Sequence, residues 1–289
     1  MIKTGKMGIM SIFLDSSLTP YPARAVGDTL SPDPVSLQVA GLVAVGTNVP
    51  NPMTGSAAAE LAHAVVGRFG GRYSSELGID VDSGDAEVER WFLASTLFGT
   101  RISARVAERA YAQLERAGIR RITDAGSRQW QELVALLDAG GYARYDYRTA
   151  TRLQLLAQVV TERYEGAISE IGRRCTSPAA LAAALEALPG WGPVTTGLFL
   201  RELRGVWPGA QPPLDPRAAQ AARHLRLLLL QVGDELGRIS RLAEEAHCDT
   251  RDLEAGLVRL ALDHRRVTDC PGHFACVALT RPRPGDSKG

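Results

Sequence analysis

Between Met7 and Ser287 the sequence has no lysine; Lys3, Lys6 and Lys288 are the only three. Arginine is the sole permanent cation across that span, and no amine there can form a Schiff base with a carbonyl group. No run of about 18 apolar residues occurs, so a membrane-spanning helix is not expected. Cysteine is scarce, with four in 289 residues, which does not suggest the disulfide framework of a small secreted domain. Neither sign of charge dominates. The formal net charge of +1 announces no polyanionic partner by itself, and only the distribution of charge can do so. Residues 1–14 place Lys3 and Lys6 before a short apolar run without a small-residue cleavage site, which is not a signal-peptide pattern. A cytoplasmic protein of ordinary globular composition is expected, with 45 % hydrophobic and 22 % charged residues.

From about Thr19 to Ser56 the chain is rich in Pro, Gly, Ser and Thr and lacks helical periodicity. Residues 1–56 are therefore expected to form an irregular arm. From Ala57 onward helical spacing dominates. Leu61, Val65, Val66 and Phe69 share one face before Gly70-Gly71. Further helices are expected over 85–98 with Asp85 as N-cap, over about 103–117, over 130–138 and over 148–164. Pro178–Leu188 has Ser177 as its N-cap and proline in the first turn. Segments 193–204, 216–230, 234–246 and 252–263 complete the set. Strand-like alternation is scarce, so the fold class is all-α.

The stretch Leu188-Pro189-Gly190-Trp191-Gly192-Pro193 joins two of these helices by a tight turn. Glycine permits the positive backbone angles that such a hairpin needs. It also leaves backbone N–H groups uncovered at the start of the next helix, where the helix dipole favours an anion such as a phosphate. The same turn also suits a plain αα-hairpin. Trp191 is expected to pack beneath the turn. Beyond the second helix and a loop comes Asp215-Pro216-Arg217, an arrangement that suits a helix N-cap.

This segment resembles the hairpin of the endonuclease III-like helix-hairpin-helix DNA glycosylases. The resemblance covers roughly residues 90–227. It includes Gly140-Gly141-Tyr142 through Arg148-Thr149-Ala150, with Arg148 where the family has lysine, and residues 91–103, similar to the family's early buried helix and the turn after it. It implies two helical lobes, a hairpin lobe of about 100–204 and a second lobe of about 57–99 plus 205–289. It implies a monomer that acts on double-stranded DNA in base-excision repair, associated with the bacterial nucleoid. Asp215 would then be the catalytic carboxylate, stabilising a sugar with oxocarbenium character or activating water; as a residue type it could equally be a helix cap alone. Gly190, Trp191, Gly192, Val194, Thr195, Arg101 and Arg148 would form the DNA-binding set. Arg101 would fill the gap left by a flipped base, or alternatively contact a phosphate. Arg105, Arg144, Arg201 and Arg217 are further candidate phosphate contacts. The family's strand-nicking lysine is replaced by Val194, so the resemblance implies a monofunctional glycosylase. A non-catalytic DNA-binding protein with the same hairpin is the alternative.

Many members of that family carry a four-cysteine iron–sulfur cluster near the C-terminus. Cys270 and Cys276 match only its last pair, and Leu260 and Val267 stand where the first two would fall. No cofactor is expected on this reading. The competing reading is a zinc site from Cys248, Cys270, His273 and Cys276. Cys175 is expected to be buried or incidental.

Overall fold

A computed structural model describes residues 55–99, 102–228, 233–264 and 269–280. The arm expected over 1–56 lies almost wholly outside them, as do Arg101 and Val267. The described residues are all-helical. In chain order the helices are α1 (Ser56–Phe69), α2 (Tyr73–Glu76), α3 (Asp85–Phe98), α4 (Ala104–Arg116), α5 (Ile122–Gly126), α6 (Trp130–Ala139), α7 (Asp146–Arg163), α8 (Ser169–Arg174), α9 (Pro178–Glu186), α10 (Pro193–Glu202), α11 (Pro216–His224), α12 (Glu235–Glu245), α13 (Thr250–Asp263) and α14 (Val277–Thr280). Among the described residues no helix is long and apolar enough to cross a membrane.

The apolar residues gather into two clusters. The first draws on residues 73–210 and the second on 58–65 and 214–278. Helix α3 lies in the first, where Val88, Trp91, Phe92, Leu93, Ala94 and Leu97 are all buried. A helix apolar on so many sides needs neighbours on all of them, and α4, α5, α8 and α10 supply them. Of the segment 57–99, expected in one lobe with 205–289, α1 packs in the second cluster and α3 in the first. The second cluster is built on α1, α11, α12 and α13. Its centre is lined by Ala218, Ala219, Ala221 and Ala222 of α11, small enough to let α13 approach closely.

Charged side chains tie the two clusters together. Arg251 of α13 donates to the carbonyl of Glu202 and to Asp82. Arg259 pairs with Glu76 at 2.7 Å and lies 4.0 Å from the centre of the Tyr73 ring. Glu202 is fully buried and accepts the N–H groups of Tyr73 and Ser74, both at 2.9 Å, thereby capping α2. Burial pushes its carboxyl above the usual range, against the lowering pull of Arg201 and these N–H groups.

Several helix boundaries differ from the pattern read in the sequence. Asp85 is the first residue of α3, after an N-cap at Gly84. Helix α7 starts at Asp146, and α11 stops at His224, where the chain turns through a positive φ at Arg226. Ser177 does cap α9, its Oγ accepting the Ala180 N–H at 3.3 Å.

Candidate functional site

The turn between α9 and α10 leaves Gly190 and Val194 exposed at the edge of the first cluster and turns Trp191 and Thr195 inward. Gly190 has a φ of +76°, a region that side chains avoid. A Cβ there would also strike the side chain of Arg152. Gly192 behaves differently from the expectation. Its φ of −139° is extended, so its freedom to adopt positive angles is unused. Its contribution is open space: a Cβ at Gly192 would meet nothing within 4 Å. Gly192 is the N-cap of α10, no side chain caps that helix, and Pro193 opens its first turn. The leading N–H groups of α10 thus lack a side-chain partner, and the dipole of a ten-residue helix stands behind them.

Trp191 is 5 % exposed, consistent with packing beneath the turn. Its ring stacks on Phe92 with centroids 4.3 Å apart, and its Nε1 donates to Thr96 Oγ1 at 3.2 Å. Its place in the predicted DNA-binding set is therefore as a support. Thr195 is buried as well, against Gly99 at the end of α3. Val194 is the opposite, at 65 % exposure the most open large apolar side chain among the described residues.

Two arginines one turn apart on α7 flank the hairpin. Arg148 is exposed, and with Arg152, Pro189 and Gly190 it lines a groove of about 800 Å³. Arg152 donates to the Thr96 carbonyl at 2.8 Å, and burial together with the neighbouring Arg148 charge lowers its pKa, against a raising pull from Tyr142. Composition and spacing gave Arg152 no prominence; only its place under Gly190 does. Arg105 and Arg144 are exposed. Arg201, expected as a phosphate contact, is only 3 % exposed, so that expectation is corrected: its guanidinium faces inward.

Asp215 and the hairpin meet in one cavity. Pro193, Val194, Thr196 and Gly197 of α10 line a space of about 620 Å³ together with Leu214, Asp215 and Arg217. The Asp215 side chain is 24 % exposed. Its Oδ1 accepts the Arg217 N–H at 2.8 Å, which makes it the N-cap of α11. Its Oδ2 lies 3.7 Å from Arg201 Nη1. The backbone is fixed from α13: Glu254, 1 % exposed, accepts the Asp215 N–H at 2.9 Å and pairs with Arg204 at 3.0 Å. Sequence reasoning missed Glu254, because nothing in its neighbourhood marks it apart from any other acidic residue of an amphipathic helix.

A second cluster of reactive side chains lies at the far end of α11. Donor atoms of His224, His264, Cys270 and Cys276 all fall within 4.8 Å of one another, so this quartet could hold a metal ion. The zinc set read from the sequence shares only Cys270 and Cys276 with it. Cys248 is held after α12, its N–H bonded to the Ala243 carbonyl. The turn Gly272–Ala275 rotates His273 onto Phe274, with ring centroids 4.9 Å apart. His224 ends α11 and His264 ends α13; packing of those two helices juxtaposes them, with ring centroids 4.4 Å apart. Burial pushes the Cys270 thiol up, but the adjacent His264 ring, the Val277 and Gly272 N–H groups and the His224 ring outweigh it and bring it down to about 6. Leu260, one of the residues in place of the family's cysteines, is buried in the apolar core. Compared with known proteins, the chain matches no family model, and no match is found among curated proteins.

Proposed function

We propose that the chain is a helix-hairpin-helix DNA glycosylase, endonuclease III-like in its arrangement and monofunctional, acting in base-excision repair on double-stranded DNA. One observation carries the reading: Asp215 and the exposed face of the hairpin helix line the same cavity. The cavity is roomy enough for a base turned out of the duplex. Gly190, the uncapped start of α10 and the Arg148–Arg152 pair suit a backbone phosphate beside it.

In this reading the Asp215 carboxylate faces the deoxyribose. As the bond from C1′ to the base breaks, its negative charge stabilises the cationic sugar. Water then adds at C1′, its hydroxide going to the sugar and its proton to the departing base. Arg201 and the Arg217 N–H hold the carboxylate in place. With Val194 at the hairpin and no lysine between Met7 and Ser287, no enzyme amine within that span is available to attack the sugar, and an abasic site is the product.

The test is a panel of duplex oligonucleotides, each with one defined lesion or mismatch, offered to the wild type and to Asp215→Asn. Asparagine caps helices as well as aspartate does, so the variant keeps the capping bond of α11, and far-ultraviolet circular dichroism checks its fold. Base release by the wild type, and its loss in the variant with DNA binding retained, supports the reading. Undiminished release by the variant refutes it, and so does a borohydride-trapped adduct at an internal residue. A non-catalytic DNA-binding module is the second reading, favoured by the ordinary capping bond of Asp215 to the Arg217 N–H. Salt-sensitive binding without release from any substrate would support it.

A further inference from the structure

We infer that His224, His264, Cys270 and Cys276 form a structural site for one tetrahedral zinc ion. The inference does not depend on the glycosylase reading, and it departs from the iron–sulfur cluster which that resemblance brings with it.

Three observations carry it. The first is distance. Donor atoms on all four residues lie within 4.8 Å of one another. Around one zinc ion, with bonds of roughly 2.0–2.3 Å, tetrahedral geometry puts donors roughly 3.3–3.8 Å apart, a small contraction from what is seen. A cluster interposes several irons between its ligands and spreads them further apart, and the family's cluster takes four thiolates. Two imidazoles and two thiols gathered this tightly suit a single borderline-soft ion. The second is an unmet need. The Nε2 atoms of both His224 and His264 are shut off from solvent and have no hydrogen-bond partner among the described residues. Buried nitrogens in that condition cost free energy unless something accepts or supplies a bond, and a metal ion does so for both rings together.

The third is the fit of the surrounding backbone. The Val277 N–H donates to Cys270 Sγ at 3.3 Å, a contact that favours the thiolate. Gly272 sits at a φ of +71°, and a Cβ there would run into the carbonyl of His224. Only glycine lets the segment after Cys270 pass this close to the end of α11. The four ligands come from three places in the sequence: the end of α11, the end of α13 and the segment before α14. One ion therefore pins residues 270–280 to the second cluster. Metal binding releases the thiol protons and adds its free energy to folding.

The experiment uses the full chain, purified under reducing conditions from zinc-supplemented culture. Elemental analysis is expected to find one zinc per chain. Exchange with cobalt(II) is expected to give the visible bands of a tetrahedral ion with thiolate charge transfer. Cys270→Ser and His264→Ala should lose the stoichiometric metal, whereas Cys248→Ser and His273→Ala should keep it. Absence of bound metal in the wild type overturns the inference, as does retention of zinc by Cys270→Ser with Cys276→Ser. Iron with labile sulfide overturns it in favour of a cluster. Should the ligand variants fail to fold, the wild-type cobalt spectrum decides: a tetrahedral thiolate spectrum supports the site, and an octahedral spectrum of oxygen ligands refutes it.

Discussion

Glu254 offers the sharpest test of how the Asp215 loop is held. One carboxylate oxygen accepts the Asp215 N–H and the other pairs with Arg204, and the residue is 1 % exposed. Replacing it by alanine removes both bonds and leaves the Arg204 guanidinium, itself only 12 % exposed, with the Pro212 and Pro213 carbonyls but without this carboxylate to balance its charge. Breaking one side of a buried pair costs about 3–5 kcal/mol. Glu254→Gln preserves shape and one neutral acceptor but loses the charge. Since a charge-assisted bond contributes about 1.5–3 kcal/mol, its cost should be about half that of alanine. The decisive variant removes both partners. Arg204→Met with Glu254→Met leaves no stranded charge and should recover much of the loss, so the double-mutant cycle should show a favourable coupling well above the ~0.5 kcal/mol expected of independent sites. Urea unfolding followed by far-ultraviolet circular dichroism measures each value. Additive losses from the two single changes, or a Glu254→Ala variant as stable as the wild type, would refute the assignment of Glu254 as the anchor of this loop.

Trp191→Ala should destabilise by about 3–5 kcal/mol, the usual cost of emptying a buried aromatic position, read as a drop in the urea midpoint; a change within ~0.5 kcal/mol would mean that the ring does not pack on Phe92. Gly190→Ala forces a side chain into a positive φ at a cost of about 1–2 kcal/mol and displaces Arg152, so it should also weaken binding to a duplex measured at low salt. Glu89 is buried with its Oε2 unpartnered among the described residues, and burial raises its pKa against the lowering pull of the Ile168 N–H. An acid whose folded pKa is raised binds more protons in the native state, so its stabilising effect is lost as pH climbs from the unfolded value through the folded one. Thermal melts should therefore show Glu89→Gln gaining on the wild type as pH rises above about 4.5, with the gain absent at lower pH; a gap that widens on acidification would reverse the sign of the argument.

Much of the helical content was legible because apolar spacing and punctuation by Gly and Pro are local signals. Residues 57–69 and 85–98 repeat their apolar positions at helical spacing, and Ser177-Pro178 marks a helix start. The short helices α2, α5 and α8 span only four to six residues, too few to show a period, and they are absent from the sequence reading. Which cluster α3 joins was not legible, because α3 looks like any apolar helix and only its neighbours decide which core it belongs to. The same limit applies to the residues of the proposed zinc site. Cys270 and Cys276 stand close together in sequence, so their pairing was visible, whereas His224 and His264 are brought to them by the packing of α11 on α13. His273 was misled by proximity: the turn at Gly272 sends its ring to Phe274. Around Asp215 the hairpin spacing was readable, but the inward-facing Arg201 and the distant Glu254 were not, since burial of a charged residue leaves no local trace.

Helix α11 carries Asp215 as its cap and His224 as its last residue. Nine residues at 1.5 Å each make a rod of about 13 Å, rigid on that scale, whose own buried alanines let α13 pack closely against it. Whatever clamps the tail end of such a rod also sets the aim of its head. If the proposed ion occupies the four-residue knot, its loss would be felt one helix length away, as a slackening of the carboxylate's bearing on the cavity, although none of its four proposed ligands lines that cavity.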